Sequence, residues 1–138
     1  MDAQPVVDVD PFDLPDWLGT AQVVWHADGG LRGGPLVAGR LTSDGEPDLV
    51  CDLLGVDEAY PAPVTDDATR LRAHQAWRHE QVLLGEYAGR LTLAVPGTRF
   101  EAGLVLDALG RLAKAVGASP DRYAALLRIG QDKSRRTR

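Results

Sequence analysis

The sequence predicts an α+β domain with an antiparallel β-sheet of about five strands and helices packed on one face. A short helical turn is followed by three strand-like segments, a helix, a strand pair and another helix. Tight Asp-Gly and Ala-Gly turns join consecutive strands, and such turns are typical of antiparallel pairing. With 138 residues, 44% of them hydrophobic, the chain is large and apolar enough for one core. We therefore predict a three-stranded meander, a helix and a β-hairpin within a single domain over residues 13–130.

The beginning of the chain lacks a strong pattern. Residues 1–12 combine prolines with acidic residues and are predicted to be a loose lead-in. Asp13 and Gly19 suit the two ends of a short helical turn, because Asp caps helix starts and Gly follows helix ends. Trp17 and Leu18 would pack this turn onto the domain.

The meander is predicted from alternating apolar residues in three segments, 21–27, 36–42 and 48–54. Asp44-Gly45 supplies the positive φ of a tight hairpin turn between the second and third segments. The glycine-rich stretch 29–35 is predicted to be a loop. It lacks the Gly-Lys-Ser/Thr ending of a phosphate-binding loop.

The second half alternates between helix and hairpin. Thr65 as N-cap, with acidic residues behind it, predicts a helix over residues 66–79. We expect its packed side to follow steps of three, through Ala68, Leu71, His74 and Trp77. Residues 82–87 and 90–95 fit the two strands of a hairpin.

Thr98 and Glu101 fit a capping box at the start of the most regular helix, which Val105, Leu109, Leu112 and Val116 define and Gly117 ends. After Ser119 and Pro120, residues 121–129 fit either a helix or a strand. Residues 131–138 are predicted to be a disordered basic tail.

Charge and composition limit the classes of function. The chain carries a net charge of −5, and no stretch of about 18 apolar residues occurs, so we expect no membrane association. The negative charge and the absence of aromatic residues in the tail argue against nucleic-acid binding. One cysteine permits no intrachain disulfide, which fits a bacterial protein of the cytoplasm.

Chemistry, if present, is predicted near the acidic loop that contains Asp57, Glu58 and Tyr60, with His26 or His79 as the base. The alternative is that these carboxylates are simply solvated. His74 is interpreted as a partly buried helix residue. It lies five positions before His79, whereas helical zinc ligands are three or four apart, so no metal or cofactor is predicted.

Three other side chains have a predicted place. Cys51 has the period of a core position within a strand, so packing is favoured over nucleophilic catalysis. Trp77 and Tyr87 lie near the junction of helix and hairpin, where large aromatic residues can anchor a partner protein. No catalytic residue is assigned.

The order of elements is similar to that of the type III secretion chaperone-like superfamily, which includes YbjN-type bacterial proteins. The stretch over residues 82–93, Val-Leu-Leu-Gly-Glu-Tyr-Ala-Gly-Arg-Leu-Thr-Leu, is the most suggestive. This resemblance implies a non-catalytic dimer that binds other proteins, and it assigns no individual residue. The short first helix and the long 55–64 loop depart from the pattern.

These observations together favour a non-enzymatic protein-binding, adaptor or chaperone-like domain that acts as a homodimer with an unidentified protein partner. A sheet with helices on one face only would leave an apolar face to be covered. The alternative is an enzyme or small-ligand-binding protein that uses the Asp52–Tyr60 region.

Overall fold

The computed structural model describes residues 4–19, 23–28, 35–57, 64–97 and 100–117. Within them lie two short 3₁₀ helices, Pro11–Asp13 and Asp16–Gly19. The strands are β1 Val7–Asp8, β2 Val24–Ala27, β3 Leu36–Val37, β4 Gly39–Thr42, β5 Leu49–Val50, β6 Asp52–Gly55, β7 Leu83–Tyr87 and β8 Arg90–Val95. The helices are α1 Asp67–Arg78 and α2 Ala102–Ala115.

The eight strands form a five-stranded sheet, β1-β7-β8-β6-β3, and a three-stranded sheet, β2-β4-β5. The α+β class is confirmed, and so is the β2-β4-β5 meander. The prediction of a single sheet is wrong, because the meander and the β7-β8 hairpin lie in different sheets. The larger sheet, however, is mixed, because β8 runs parallel to β6 while its other pairs are antiparallel. The prediction of a wholly antiparallel sheet is wrong at this pair, because α1 provides the crossover that parallel strands require.

One hairpin belongs to both sheets. Its two arms are predicted as single strands, but each arm is divided in the structure, into β3 and β4 and into β5 and β6. The pairing of Val37 with Leu53 and that of Arg40 with Val50 keep the same register across the division. The two sheets are therefore two halves of one bent hairpin, each extended by different neighbours.

Side chains replace one backbone hydrogen bond at the bend. Cys51 still donates its N–H to the carbonyl oxygen of Gly39 (3.0 Å). The reciprocal bond is absent from the described hydrogen bonds, because the Gly39 N–H donates to Oδ1 of Asp52 (3.0 Å) and the indole N–H of Trp25 donates to the Cys51 carbonyl (2.9 Å). All these groups are buried, so each needs its partner.

The buried Asp52 carboxylate at the bend also binds Arg90 at the start of β8. Nε of Arg90 lies 2.7 Å from Oδ2, and Nη2 lies 3.1 Å from Oδ1. This bidentate hydrogen bonding, together with the charge of Asp52, raises the pKa of Arg90. The bend is thereby connected to the parallel strand pair.

The two helices contribute their buried apolar residues to different core clusters, although Trp77 at the end of α1 packs against the larger one. Leu53 and Leu93 belong to the larger cluster, which contains the buried side of α2, whereas Leu54 and Ala94 belong to a smaller cluster with Ala73 of α1. Successive residues of a strand point to opposite faces. Successive residues of β6 and β8 belong to different clusters, so the prediction that both helices pack on one face is not confirmed.

The larger core cluster joins both sheets. Trp25 and Leu41 come from the three-stranded sheet, Leu53 and Val95 from the five-stranded sheet, and all four are fully buried with Leu109 of α2. The bend therefore lets one helix fill the space between the two halves of the hairpin.

The predicted lead-in takes part in the sheet. Val7 and Asp8 pair with Glu86 and Gly85 of β7. The Val6 N–H donates to Oγ1 of Thr69 in α1 (3.1 Å). Residues 131–138, and the helix-or-strand question over 121–129, lie outside the described residues.

The ends and packed face of α1 differ from the prediction. Asp66, not Thr65, is the N-cap, and it accepts the Thr69 N–H (2.9 Å). Hydrogen bonding with the side chain of Thr69, and then with its backbone, lowers the pKa of Asp66. The buried positions are Thr69 and Ala73, whereas Leu71 of the predicted stripe is exposed. Small side chains lie against the sheet because α1 packs closely over β7 and β8.

The other local predictions have a mixed outcome. Gly45 (φ 80°) and Gly89 (φ 81°) form the two predicted turns, and Leu18 of the turn before Gly19 is fully buried. The N-cap of α2 is Glu101, which makes no side-chain capping bond; Thr98 lies outside the described residues.

Replacing Gly39 by Ala tests the bend. A Cβ atom at Gly39 would lie 2.6 Å from Cζ2 of Trp25 and 2.7 Å from the His26 carbonyl oxygen. We expect Gly39→Ala to lower the free energy of unfolding by about 1–3 kcal/mol, measured by urea denaturation.

Gly110→Ala is the matched control, because nothing lies within 4 Å of a Cβ at this position in α2. This variant is expected to gain about 0.5–1 kcal/mol from helix propensity. Equal stability changes in the two variants would contradict the close packing of Trp25 on the bend.

Candidate functional site

Asp57 and His74 form a hydrogen-bonded pair at the ends of the parallel strands. Asp57 follows β6, Gly97 follows β8, and the carboxyl ends of parallel strands lie at the same edge. Nε2 of His74 lies 3.0 Å from both carboxylate oxygens of Asp57. The Gly97 N–H also donates to Oδ2 of Asp57 (3.2 Å), so both a helix and a loop fix this carboxylate.

The pair determines which ring nitrogen of His74 carries hydrogen. An ionised carboxylate only accepts, so Nε2 must donate to Asp57. In the neutral ring Nδ1 is then left as an acceptor, the arrangement in which a histidine can take a proton from another group. The His74 side chain is 39% exposed and that of Asp57 is 29% exposed, so the pair is accessible from solvent.

The predicted partners of the acidic loop are placed elsewhere. Nε2 of His26 lies 3.0 Å from Oγ1 of Thr42, within the three-stranded sheet. His79 is the C-cap of α1 and lines a cavity of about 330 Å³ together with Arg111 and Lys114. The described hydrogen bonds thus join Asp57 to His74 and not to His26 or His79.

The remaining predicted loop residues, Glu58 and Tyr60, lie outside the described residues. Of the three predicted loop residues, the structure thus describes the surroundings of Asp57 alone. No group of three or more His, Cys, Asp or Glu side chains in the described ranges is arranged to hold a metal ion.

Cys51 occupies the core position that the sequence predicts. Its side chain is fully buried at the bend, and the thiol is free. Burial, and secondarily the negative charge of Asp52, raises the pKa of Cys51 to about 12. The thiol is therefore protonated at neutral pH and unsuited to nucleophilic attack.

Trp77 and Tyr87 make contacts within the domain. The Arg111 guanidinium lies 3.4 Å from the centre of the Trp77 ring, and its Nη1 donates to the Trp77 carbonyl (2.8 Å). The Tyr87 hydroxyl donates to the Val64 carbonyl (2.6 Å), and burial raises the pKa of this hydroxyl. Trp77 packs against the larger core cluster and Tyr87 against the smaller one, so they do not share one packing environment.

An apolar groove lies between the N-terminal turns and the end of α2. We name it the Phe12 groove; its volume is about 650 Å³, and it is lined by Phe12, Leu14, Pro15, Asp16, Gly19 and residues 114–117. The Phe12 side chain is 93% exposed, the highest value among the large hydrophobic residues identified as exposed.

The position of Phe12 is fixed by its backbone. Its N–H donates to Oδ1 of Asp10 (3.0 Å), and the Asp13 N–H donates to the Asp10 carbonyl (2.9 Å). The two walls of the groove also meet closely, since a Cβ at Gly19 would lie 3.3 Å from the Val116 carbonyl oxygen. The exposed ring therefore belongs to a fixed turn.

Sequence reasoning missed both His74 and Phe12 as functional candidates. From the sequence, the only chemical role considered for His74 is that of a metal ligand. His74 lies on the helix that follows the loop of Asp57, and only the fold brings the two side chains together. Phe12 carried a local signal, because a large aromatic residue stands between two acidic residues after a proline. Such a turn cannot bury its aromatic side chain by itself.

No described helix is long and apolar enough to cross a membrane. Comparison with protein-family models, curated proteins and solved structures found no match to this chain. The resemblance to the chaperone-like superfamily therefore stays a prediction.

Alkylation of the native protein tests the environment of Cys51. Because the pKa of the thiol is raised to about 12, its reactive thiolate is scarce below pH 9. We expect iodoacetamide at pH 8 to label the native protein at least about 100-fold more slowly than the urea-unfolded chain. Similar rates, measured by mass spectrometry, would contradict a buried thiol.

Proposed function

We propose that this chain is a non-enzymatic protein-binding or adaptor domain, of a chaperone-like kind, that acts as a homodimer. The observation that carries this proposal is Phe12, which is 93% exposed in a hydrogen-bonded turn beside an apolar groove. Burying a Phe side chain is worth about 1.5–3 kcal/mol. A second protein surface that covers Phe12 would gain this free energy.

A second copy of the chain fits the groove by its symmetry. In a twofold dimer the same patch meets itself, so a projecting side chain needs a recess nearby. Phe12 and the apolar wall formed by Leu14, Pro15 and Val116 provide both parts on one surface. Aromatic anchors in recesses of this kind contribute much of the binding energy of protein interfaces.

Opposite charges at the groove support the same arrangement. Asp16 and Lys114 both line it, and the Lys114 side chain, which lies 3.7 Å from the Glu80 carboxylate, is 60% exposed. Under a twofold axis, Asp16 of one copy would face Lys114 of the other. Such a pair adds little affinity but favours the correct orientation.

The proposed role includes a cytoplasmic location in a bacterial cell. It is supported by the single cysteine, which is free and buried, since secreted domains of small size commonly depend on disulfides.

Replacing Phe12 by Ser tests the dimer. Two copies of the side chain would lose their burial, so we expect the dimer dissociation constant to rise by at least about 100-fold. Sedimentation equilibrium across micromolar concentrations measures this constant against the monomer mass of 14.8 kDa.

Leu71→Ser is the matched control, because Leu71 is also a large exposed apolar residue, at 62%, and lies on α1 outside the groove. It should leave the dissociation constant unchanged. A wild-type chain that stays monomeric would refute the dimer, and an F12S variant that dimerises like wild type would refute the Phe12 groove as its interface.

A further inference from the structure

Two exposed arginines on α1 lack the carboxylate partners that the other described arginines have. Arginines 40, 72, 90 and 111 each form an ion pair with an aspartate. Arg70 and Arg78 are exposed and form no ion pair within the described residues. Although the chain has a net charge of −5, no carboxylate among the described residues pairs with these two guanidinium groups.

These arginines lie in one line on the outer surface of α1. Arg70, His74 and Arg78 follow each other at intervals of four residues, which places them on the same face of a helix. Leu71, 62% exposed, lies beside them. We call these four residues the α1 arginine row. Eight residues of helix separate the two arginines by about 12 Å along the axis.

We infer that the α1 arginine row docks an extended acidic segment of a partner protein. In an extended chain, side chains four residues apart lie on the same side and about 13 Å apart, which matches the spacing of Arg70 and Arg78. The expected pattern is therefore two acidic residues four apart, with an apolar residue midway above Leu71 and His74. Guanidinium groups suit carboxylates because they donate in a planar, paired geometry.

The nearby described acidic groups form no ion pair with the two arginines. Asp57 accepts hydrogen bonds from His74 and Gly97. Asp66 is the N-cap of α1, and Asp67 lies in its first turn, where the helix dipole favours a negative charge. None of the three forms an ion pair with Arg70 or Arg78 among the described contacts.

An acidic protein fits this row better than a nucleic acid does. A polyphosphate backbone would be repelled by the net charge of −5 and would make no use of the exposed Leu71. An acidic peptide segment brings fewer charges and an apolar side chain. This inference rests on the proposed protein-binding function and uses a surface other than the Phe12 groove.

Chromatography of the full chain on immobilised poly-L-glutamate tests the inference. Because the chain is itself acidic, retention reports a local basic surface. We expect the wild type to be retained at low salt and the double variant Arg70→Gln/Arg78→Gln to pass through unretained. Glutamine preserves helix propensity. Ala38→Glu/Ser43→Asp is the control, because it changes the net charge by the same amount in the hairpin, outside α1, and should elute with the wild type.

The possible results separate this inference from the dimer proposal. Equal retention of the wild type and Arg70→Gln/Arg78→Gln, or no retention of the wild type, overturns the inference whatever the oligomeric state. Stronger wild-type retention on immobilised oligothymidylate than on poly-L-glutamate also overturns it, by assigning the row to nucleic acid. If Phe12→Ser leaves the oligomeric state unchanged while Arg70→Gln/Arg78→Gln loses retention, the Phe12 groove fails as the dimer interface and the inference stands.

Discussion

The fold depends on one backbone hydrogen bond that the central hairpin does not make. At Gly39 and Cys51 the ladder keeps one bond of the usual two, and the side chains of Asp52 and Trp25 satisfy the groups that are left. The strands can bend there without leaving buried polar atoms unpaired, which would cost about 1–3 kcal/mol each. Glycine is needed because the Trp25 ring occupies the space of a side chain.

The bend also positions the two surfaces to which we assign a role. One half of the hairpin pairs with β2 and the other with β8, and α2 fills the space between them. The end of α2 then lies beside the N-terminal turns, and together they form the Phe12 groove. The outer face of α1 carries the arginine row, and its His74 ring is bound to Asp57. The arginine row and the Phe12 groove share no lining residue.

Local sequence signals predicted most helices, strands and turns. They did not predict how these elements pair and pack against one another. Asp44-Gly45 and Ala88-Gly89 identified both hairpin turns because their backbone conformations are set locally. The break at Gly39 was missed because the alternating pattern continues through it and its cause, Trp25, is on another strand. The packed face of α1 was predicted from large residues, but its close approach to the sheet selects Thr69 and Ala73.

The Asp57–His74 pair depends on the parallel strand order, which no local signal specifies. The local sequence around Phe12 predicts an exposed aromatic side chain. The groove beside it forms only because the end of α2 packs against the N-terminal turns.

The attachment of β1 has a consequence for synthesis on the ribosome. The residues around Val6 and Val7 are held by Thr69, Arg72 and β7, all at least 60 positions later in the chain. At about 5–20 residues per second, the first strand therefore waits roughly 4–16 s for its partners to be translated. During that interval buried apolar side chains of the N-terminal segment, such as Val6, have no native neighbour to cover them. The nascent chain is then most exposed to premature association until β7 has emerged and paired with β1.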